Sequence, residues 1–184
     1  MLAYVFWHWR SASVPPERYE ALARAFYASL TGSPPAGLNR TVAYAIGGAS
    51  WIPSARPAYE EWYGVTGSAA LDPLNDAAVA PAHRETHDAI ARVAEGGTAG
   101  LYRLRRGVPL WEEARHAAWF SKPQGLGYAD LYALLEPLTR HGSLWGRQMV
   151  LGAPPEFCLQ TREAVVLPEP VAAATQIALR LLWP

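Results

Sequence analysis

The chain has one cysteine, Cys158, in 184 residues, so no internal disulfide can form. It sits in Phe157-Cys158-Leu159, where a small buried hydrophobe is the default role of a thiol. Charge is also scarce. Only 17% of residues are Asp, Glu, Lys or Arg, and the basic and acidic counts are equal at 16 each. That balance removes the electrostatic footprint of a nucleic-acid-binding protein and the polybasic stretch of one that docks on anionic lipid. The small cluster Arg103, Arg105 and Arg106 reads as strand-end charge in water. Long apolar runs are missing as well. No window reaches the roughly 18 residues of a spanning helix. Met1 to Arg10 has neither the basic n-region nor the long apolar h-region of a signal peptide. A soluble, reduced, cytoplasmic protein is expected, without nucleic acid or membrane among its partners. Several motifs are absent too: no Gly-x-Gly-x-x-Gly follows a strand, and there is no Walker loop and no Gly-x-Ser-x-Gly elbow.

What the chain has in excess is large rings. Eight Trp and nine Tyr, in a composition that is 51% hydrophobic, predict a well-filled core or a cavity walled by aromatics. The first run, Leu2 to Trp9, reads as a strand buried on both faces. Leu2, Tyr4, Phe6 and His8 share one face, while Ala3, Val5, Trp7 and Trp9 share the other. Pro15, Pro16 and Glu17 then suit a helix start, with Ser13 as a candidate cap. Tyr19, Leu22, Ala23, Phe26 and Leu30 form its apolar stripe, and Gly32 ends it. Strands are expected at Arg40 to Ile46 and Tyr59 to Thr66. A helix begins near Ser68, is interrupted at Pro81 and resumes over about 82–94. Gly96-Gly97 reads as a stop, and Leu101 to Leu104 as a fourth strand. The order is βαββαβ. It restarts with a strand at Ala114 to Lys122, a helix from Tyr128 ending near Pro137 and Gly142, and strands at Leu144 to Leu151, Glu156 to Thr161 and Thr175 to Trp183. The second helix of this half is absent or reduced to something near Val171 to Ala174. The domain reading is therefore a ferredoxin-like half over 1–107 and a shorter one over 108–184, forming one compact unit.

The segment Trp119-Phe120-Ser121-Lys122-Pro123-Gln124-Gly125-Leu126, running into the Tyr128 helix, resembles the first strand and helix start of EthD-like proteins. Phe6-Trp7-His8 and Tyr59-Glu60-Glu61-Trp62-Tyr63 are similar to uncharacterised bacterial proteins of the same kind. The resemblance implies the dimeric α+β barrel superfamily, here with both halves fused in tandem in one chain and their sheets packed face to face. It implies a cavity for a small apolar or aromatic molecule. Three activities stand open: a cofactor-independent oxygenase, isomerase or lyase; a non-catalytic ligand-binding or structural barrel; and a metal- or haem-dependent variant.

His8 is the candidate catalytic residue, as a general acid or base expected to face the barrel interior. Tyr4, Phe6, Trp62, Trp119 and Arg147 are the candidate pocket residues, Arg147 or Lys122 serving any anionic group of a ligand. The second half offers Ser121 where the first has His8, with His116 earlier in its strand, so one site per chain is expected. His83 and His87 share a helical face, but the residues between them are Arg-Glu-Thr, not the His-Glu-x-x-His pattern of zinc proteases. A solvated helix face is expected there. Haem would need a helical or helix-end histidine, for which His83, His87 and His141 are the candidates. No metal and no cofactor are expected. Either a monomer or a homodimer fits, the second if an unfinished half leaves a free strand edge.

Overall fold

The computed structural model describes residues 1–53, 56–152, 155–172 and 174–184. Eight strands are present: β1 (Leu2–Arg10), β2 (Leu38–Ile46), β3 (Ala58–Val65), β4 (Ala94–Gly107), β5 (His116–Phe120), β6 (Ser143–Gly152), β7 (Phe157–Thr161) and β8 (Thr175–Trp183). Among the described residues four α-helices accompany them: α1 (Pro16–Gly32), α2 (Leu71–Val79), α3 (Arg84–Ala91) and α4 (Tyr128–Thr139). The strands close into one antiparallel barrel in the order β1-β3-β2-β8-β5-β7-β6-β4. Two ferredoxin-like halves make it, β1 to β4 and β5 to β8, joined where β2 meets β8 and β4 meets β6. Between β7 and β8 no helix stands among the described residues, so the second half is the reduced one. Pro154 and Ala173, which belong to the expected loop and helix remnant, lie outside the described residues.

Closure corrects one expectation. The short half leaves no free edge in the barrel, because β8 pairs with β5 on one side and with β2 on the other. The partly unsatisfied ladder that would recruit a second copy is thus used within the chain.

Both faces of β1, β3, β5 and β7 are buried, which explains their dense apolar reading, whereas β8 leaves Gln176, Ala178 and Arg180 exposed. Inside the barrel lie Ala3, Val5, Trp7 and Trp9 of β1, packed with Val42, Tyr44, Trp62, Tyr102, Trp119 and Trp145. Every tryptophan except Trp183 belongs to this inner cluster. The rings meet mostly tilted or edge to face: Trp7 and Trp119 have centroids 5.1 Å apart, Trp62 and Trp145 5.2 Å, Tyr102 and Trp119 5.3 Å. Each such pair contributes about 0.5–1.5 kcal/mol beyond the burial of its area. The interior, expected to be a ligand space, is filled by side chains. Outside the barrel, α1 to α3 cover the other face of β1 and β3 through Tyr19, Phe26, Tyr27, Leu30, Leu74 and Ile90. Helix α4 covers β5 to β7 through Leu131 and Leu135.

β4 begins well before the expected Leu101, and Gly96 and Gly97 lie inside it rather than stopping the helix. Their missing side chains make room for rings. A Cβ on Gly96 would stand 2.7 Å from the Trp9 indole, and one on Gly97 would stand 2.5 Å from the Phe6 ring. The helical stretch instead ends at Ala91. Pro81 falls in the break between α2 and α3, as the lost donor requires.

Candidate functional site

Strand alternation splits the neighbouring acids of β3. Glu60 points into the barrel and Glu61 toward the helices, and both are buried, at 0% and 3% exposure. Glu61 is the hub of a polar cluster under α1. Its Oε1 accepts the Tyr27 hydroxyl at 2.5 Å and lies 2.8 Å from Nε2 of His8. Its Oε2 accepts the Tyr63 hydroxyl at 2.5 Å. The other nitrogen of His8, Nδ1, is 2.6 Å from the Tyr19 hydroxyl. An ionised carboxylate only accepts hydrogen bonds, so the His8 nitrogen that faces it, Nε2, is the one that carries a proton. The result is a hydroxyl–imidazole–carboxylate array. The His8 ring is held flat between Phe6 and Tyr59, with centroids at 5.3 and 5.4 Å. Burial pushes the Glu61 carboxyl up. The charge of His8 and the hydrogen bonds from Tyr27 and Tyr63 outweigh that and hold it below its ordinary value.

His8 is therefore on the helix-covered face, not in the barrel interior. The reason is register. With Trp7 and Trp9 turned inward, His8 must point to α1, along with Tyr4 and Phe6.

A cavity of about 470 Å³ opens above this cluster, between the sheet and the helices. Tyr4, Phe6, Glu61 and Tyr63 form its floor, Phe26, Leu30 and Leu74 its sides, and Asp72 and His87 stand among the helical residues lining it. Its volume is in the range of small-molecule sites. Of the pocket candidates, Tyr4 and Phe6 line this cavity. Trp62 and Trp119 do not; both are 1% exposed inside the barrel. Arg147 lines a separate depression under α4, with Arg105, Tyr128, Tyr132 and Glu156, and donates from Nη1 to the Gly152 carbonyl at 3.0 Å. Lys122 donates to the carbonyls of Pro123 and Leu126.

The barrel interior holds the second buried acid. Glu60 accepts from the indole nitrogens of Trp7 at 2.8 Å and Trp62 at 2.7 Å. No cation pairs with it among the described residues, and burial pushes its carboxyl up to about 7 against the partial relief of the indole hydrogen bonds. Neither Glu60 nor Glu61 stands among the sequence-derived candidates. The signal was their adjacency in an otherwise aromatic strand, since neighbours on a strand buried on both faces are both forced inside.

His83 bonds Ser29 at 2.8 Å, and His87 contacts Asp88 at 3.2 Å, so the two rings do not converge. His141 is exposed. Among the described residues, no group of three or more His, Cys, Asp or Glu side chains is placed to hold a metal ion. Cys158 is fully buried, and burial raises its thiol well above its ordinary value. Among the described residues no helix is long and apolar enough to cross a membrane.

The fold is a closed, eight-stranded α+β barrel built of two ferredoxin-like halves within a single chain. Among solved structures, an anthrone oxidase-like protein is similar over 98% of this chain and 90% of its own, at 9% identity and a TM-score of 0.53. A chlorite dismutase-like protein is similar over 98% and 94%, at 11% identity and a TM-score of 0.52. A dimeric ferredoxin-like protein of unknown function from Thermobifida fusca matches 54% of this chain and 87% of its own, at 17% identity and a TM-score of 0.34. These likenesses are of fold. No family model matches the chain, and no curated protein matches it in sequence.

Proposed function

We propose that this protein binds a small apolar or aromatic molecule in the cavity between β1, β3 and α1 to α3, and moves a proton on it without a metal or organic cofactor. The observation that carries the reading is the Glu61 carboxylate at the floor of an aromatic-walled cavity, backed by His8 and Tyr19. In such a site the rings supply affinity and the few polar groups fix orientation. Glu61 meets the ligand and takes up or returns the proton; His8, behind it, keeps the carboxylate ionised as the base, and Tyr19 holds the ring. Proton transfer at carbon is shared by the isomerase, lyase and cofactor-independent oxygenase chemistries that the EthD-like resemblance implies. Chain halves over 1–107 and 108–184 belong to the same reading, with one site per chain, because the first half carries the His8 array.

Two measurements test it. Saturation-transfer NMR with a panel of small aromatics reads binding, and Leu74→Trp, which puts an indole into the cavity, abolishes that binding while the far-UV circular dichroism stays unchanged. Incubation of bound ligands in heavy water, followed by mass spectrometry, reads proton transfer, and His8→Gln stops deuterium uptake. Binding that survives Leu74→Trp refutes the location. Binding without deuterium uptake by any ligand leaves a non-catalytic ligand-binding barrel.

A further inference from the structure

The cavity is lined by two carboxylates, Glu61 and Asp72, and its remaining polar groups, the Tyr4 hydroxyl and the Asn75 amide among them, are neutral or imidazole. A carboxylate has about four lone-pair sites over its two oxygens. On Glu61, Oε1 is engaged by Tyr27 and His8, whereas Oε2 receives only Tyr63. One site on Oε2 therefore stays open. Tyr63 spends its proton on Glu61, so its oxygen keeps acceptor capacity only. Higher on the wall, Asp72 in the first turn of α2 carries a second carboxylate. Neither Lys nor Arg lines the cavity, and its one imidazole, His87, contacts Asp88 through Nδ1. Around the floor, Tyr4 stacks on Phe6 with centroids at 6.5 Å and tilts over Tyr63 at 6.1 Å, so three rings line the cavity together with the Glu61 carboxylate.

Taken with the proposal that this cavity is the ligand site, we infer that the ligand class is an organic cation, an amine carried on an aromatic or apolar body. An ammonium group has donors only, which matches the open site on the Glu61 carboxylate. Ring faces attract a cation through their quadrupoles, the more strongly when water is excluded. A charge-assisted N–H···O⁻ bond to the open site of Oε2 is about twice as strong as a neutral one. A carboxylate or phosphate ligand would meet Glu61 and Asp72 and find no Lys or Arg in the lining to balance the repulsion. A pure hydrocarbon would cover the open site and leave it without a partner.

Three shape-matched probes test this by titration calorimetry at pH 7: 2-phenylethylamine, 2-phenylethanol and 3-phenylpropanoate. The amine is expected to bind at least about tenfold more tightly than the alcohol, with the carboxylate below detection. Glu61→Gln removes most of that preference. Because Glu61 also holds the buried cluster together, Asp72→Asn provides a second, surface variant, with an expected loss of about threefold for the amine and none for the alcohol. Alcohol binding equal to amine binding overturns the amine class and leaves the cavity site standing. Amine preference unchanged in both variants overturns it as well. Failure of all three probes to bind the unaltered protein sinks both the class and the cavity reading.

Discussion

Glu60 makes a quantitative prediction about the barrel itself. Its carboxyl has an ordinary value of 4.5 and is pushed up to about 7 by burial among the tryptophans. Between those two values the folded chain holds a proton that the unfolded chain has lost. Stability therefore falls as pH rises from 4.5 to about 7. Below 4.5 the contribution is fully present; above about 7 it is gone. Each pH unit of separation is worth about 1.4 kcal/mol, so the whole span amounts to about 3 kcal/mol. Glu60→Gln isolates this effect, because glutamine is neutral at every pH and similar in size. Its carbonyl accepts from one indole, and its amide leaves the other indole unpaired at a cost of about 1–3 kcal/mol. The variant should be less stable than the natural chain at pH 5 and equal or more stable at pH 8. The difference between the two proteins should change by about 3 kcal/mol over that interval. Urea unfolding followed by far-UV circular dichroism at several pH values measures it. Tryptophan fluorescence of the folded protein should also titrate with a midpoint near 7, and not in the variant. A stability difference that moves by less than about 0.5 kcal/mol across the range, within extrapolation error, refutes the reasoning.

The other predictions concern single contacts. Trp7→Phe removes one of the two indole donors to Glu60 and should move the fluorescence midpoint above about 7, measured by the same titration. Gly97→Ala sets a methyl 2.5 Å from the Phe6 ring and should cost about 1–3 kcal/mol in urea unfolding, with Gly125→Ala, where space is open but φ is +81°, as a backbone-only comparison. Tyr19→Phe removes the hydroxyl from Nδ1 of His8 while keeping the ring stack on Tyr59, and should cost about 1 kcal/mol in the same assay.

Strand and helix order was legible because aromatic alternation and proline punctuation are strong signals. Thr175 to Trp183 is read from the sequence with the bounds the structure has, and Pro81 falls in the helix break. The inward face was not legible. Alternation says that Tyr4, Phe6 and His8 travel together, but with apolar residues on both faces of β1 nothing local tells barrel interior from helix cover. His8 was thus expected in the wrong compartment, while Tyr4 and Phe6 reached the cavity with it on the helix side. Gly96-Gly97 looked like a terminator because the reason for both glycines, the rings of Trp9 and Phe6, lies across a strand pairing invisible in one dimension. The volume available to a ligand was likewise hidden. Composition predicts many rings, but only the three-dimensional packing shows that the barrel interior is full and that the free space lies under the helices.

Glu60 and Glu61 show how completely partners decide the behaviour of identical groups. Both are buried in consecutive positions of β3, and burial raises both. Glu60 finds neutral indole donors, which relieve its charge only in part, and it titrates near 7. Glu61 finds His8 and two tyrosine hydroxyls and is held below its ordinary value. Their contributions to stability run in opposite directions. Glu61 adds stability that is present above its unfolded value and is lost as pH falls through its lowered folded value. Glu60 adds stability that is lost as pH rises toward 7. The two slopes leave a maximum near 4.5, the ordinary value that the two carboxyls share. Glu61→Gln should remove the acid limb of the stability curve and Glu60→Gln the limb on the neutral side. The charge that stays on at neutral pH through firm partners is the one facing the cavity, while the one that wavers is sealed in the barrel. That division sets a firmly held charge beside the cavity and a titrating one inside the tryptophan-filled barrel.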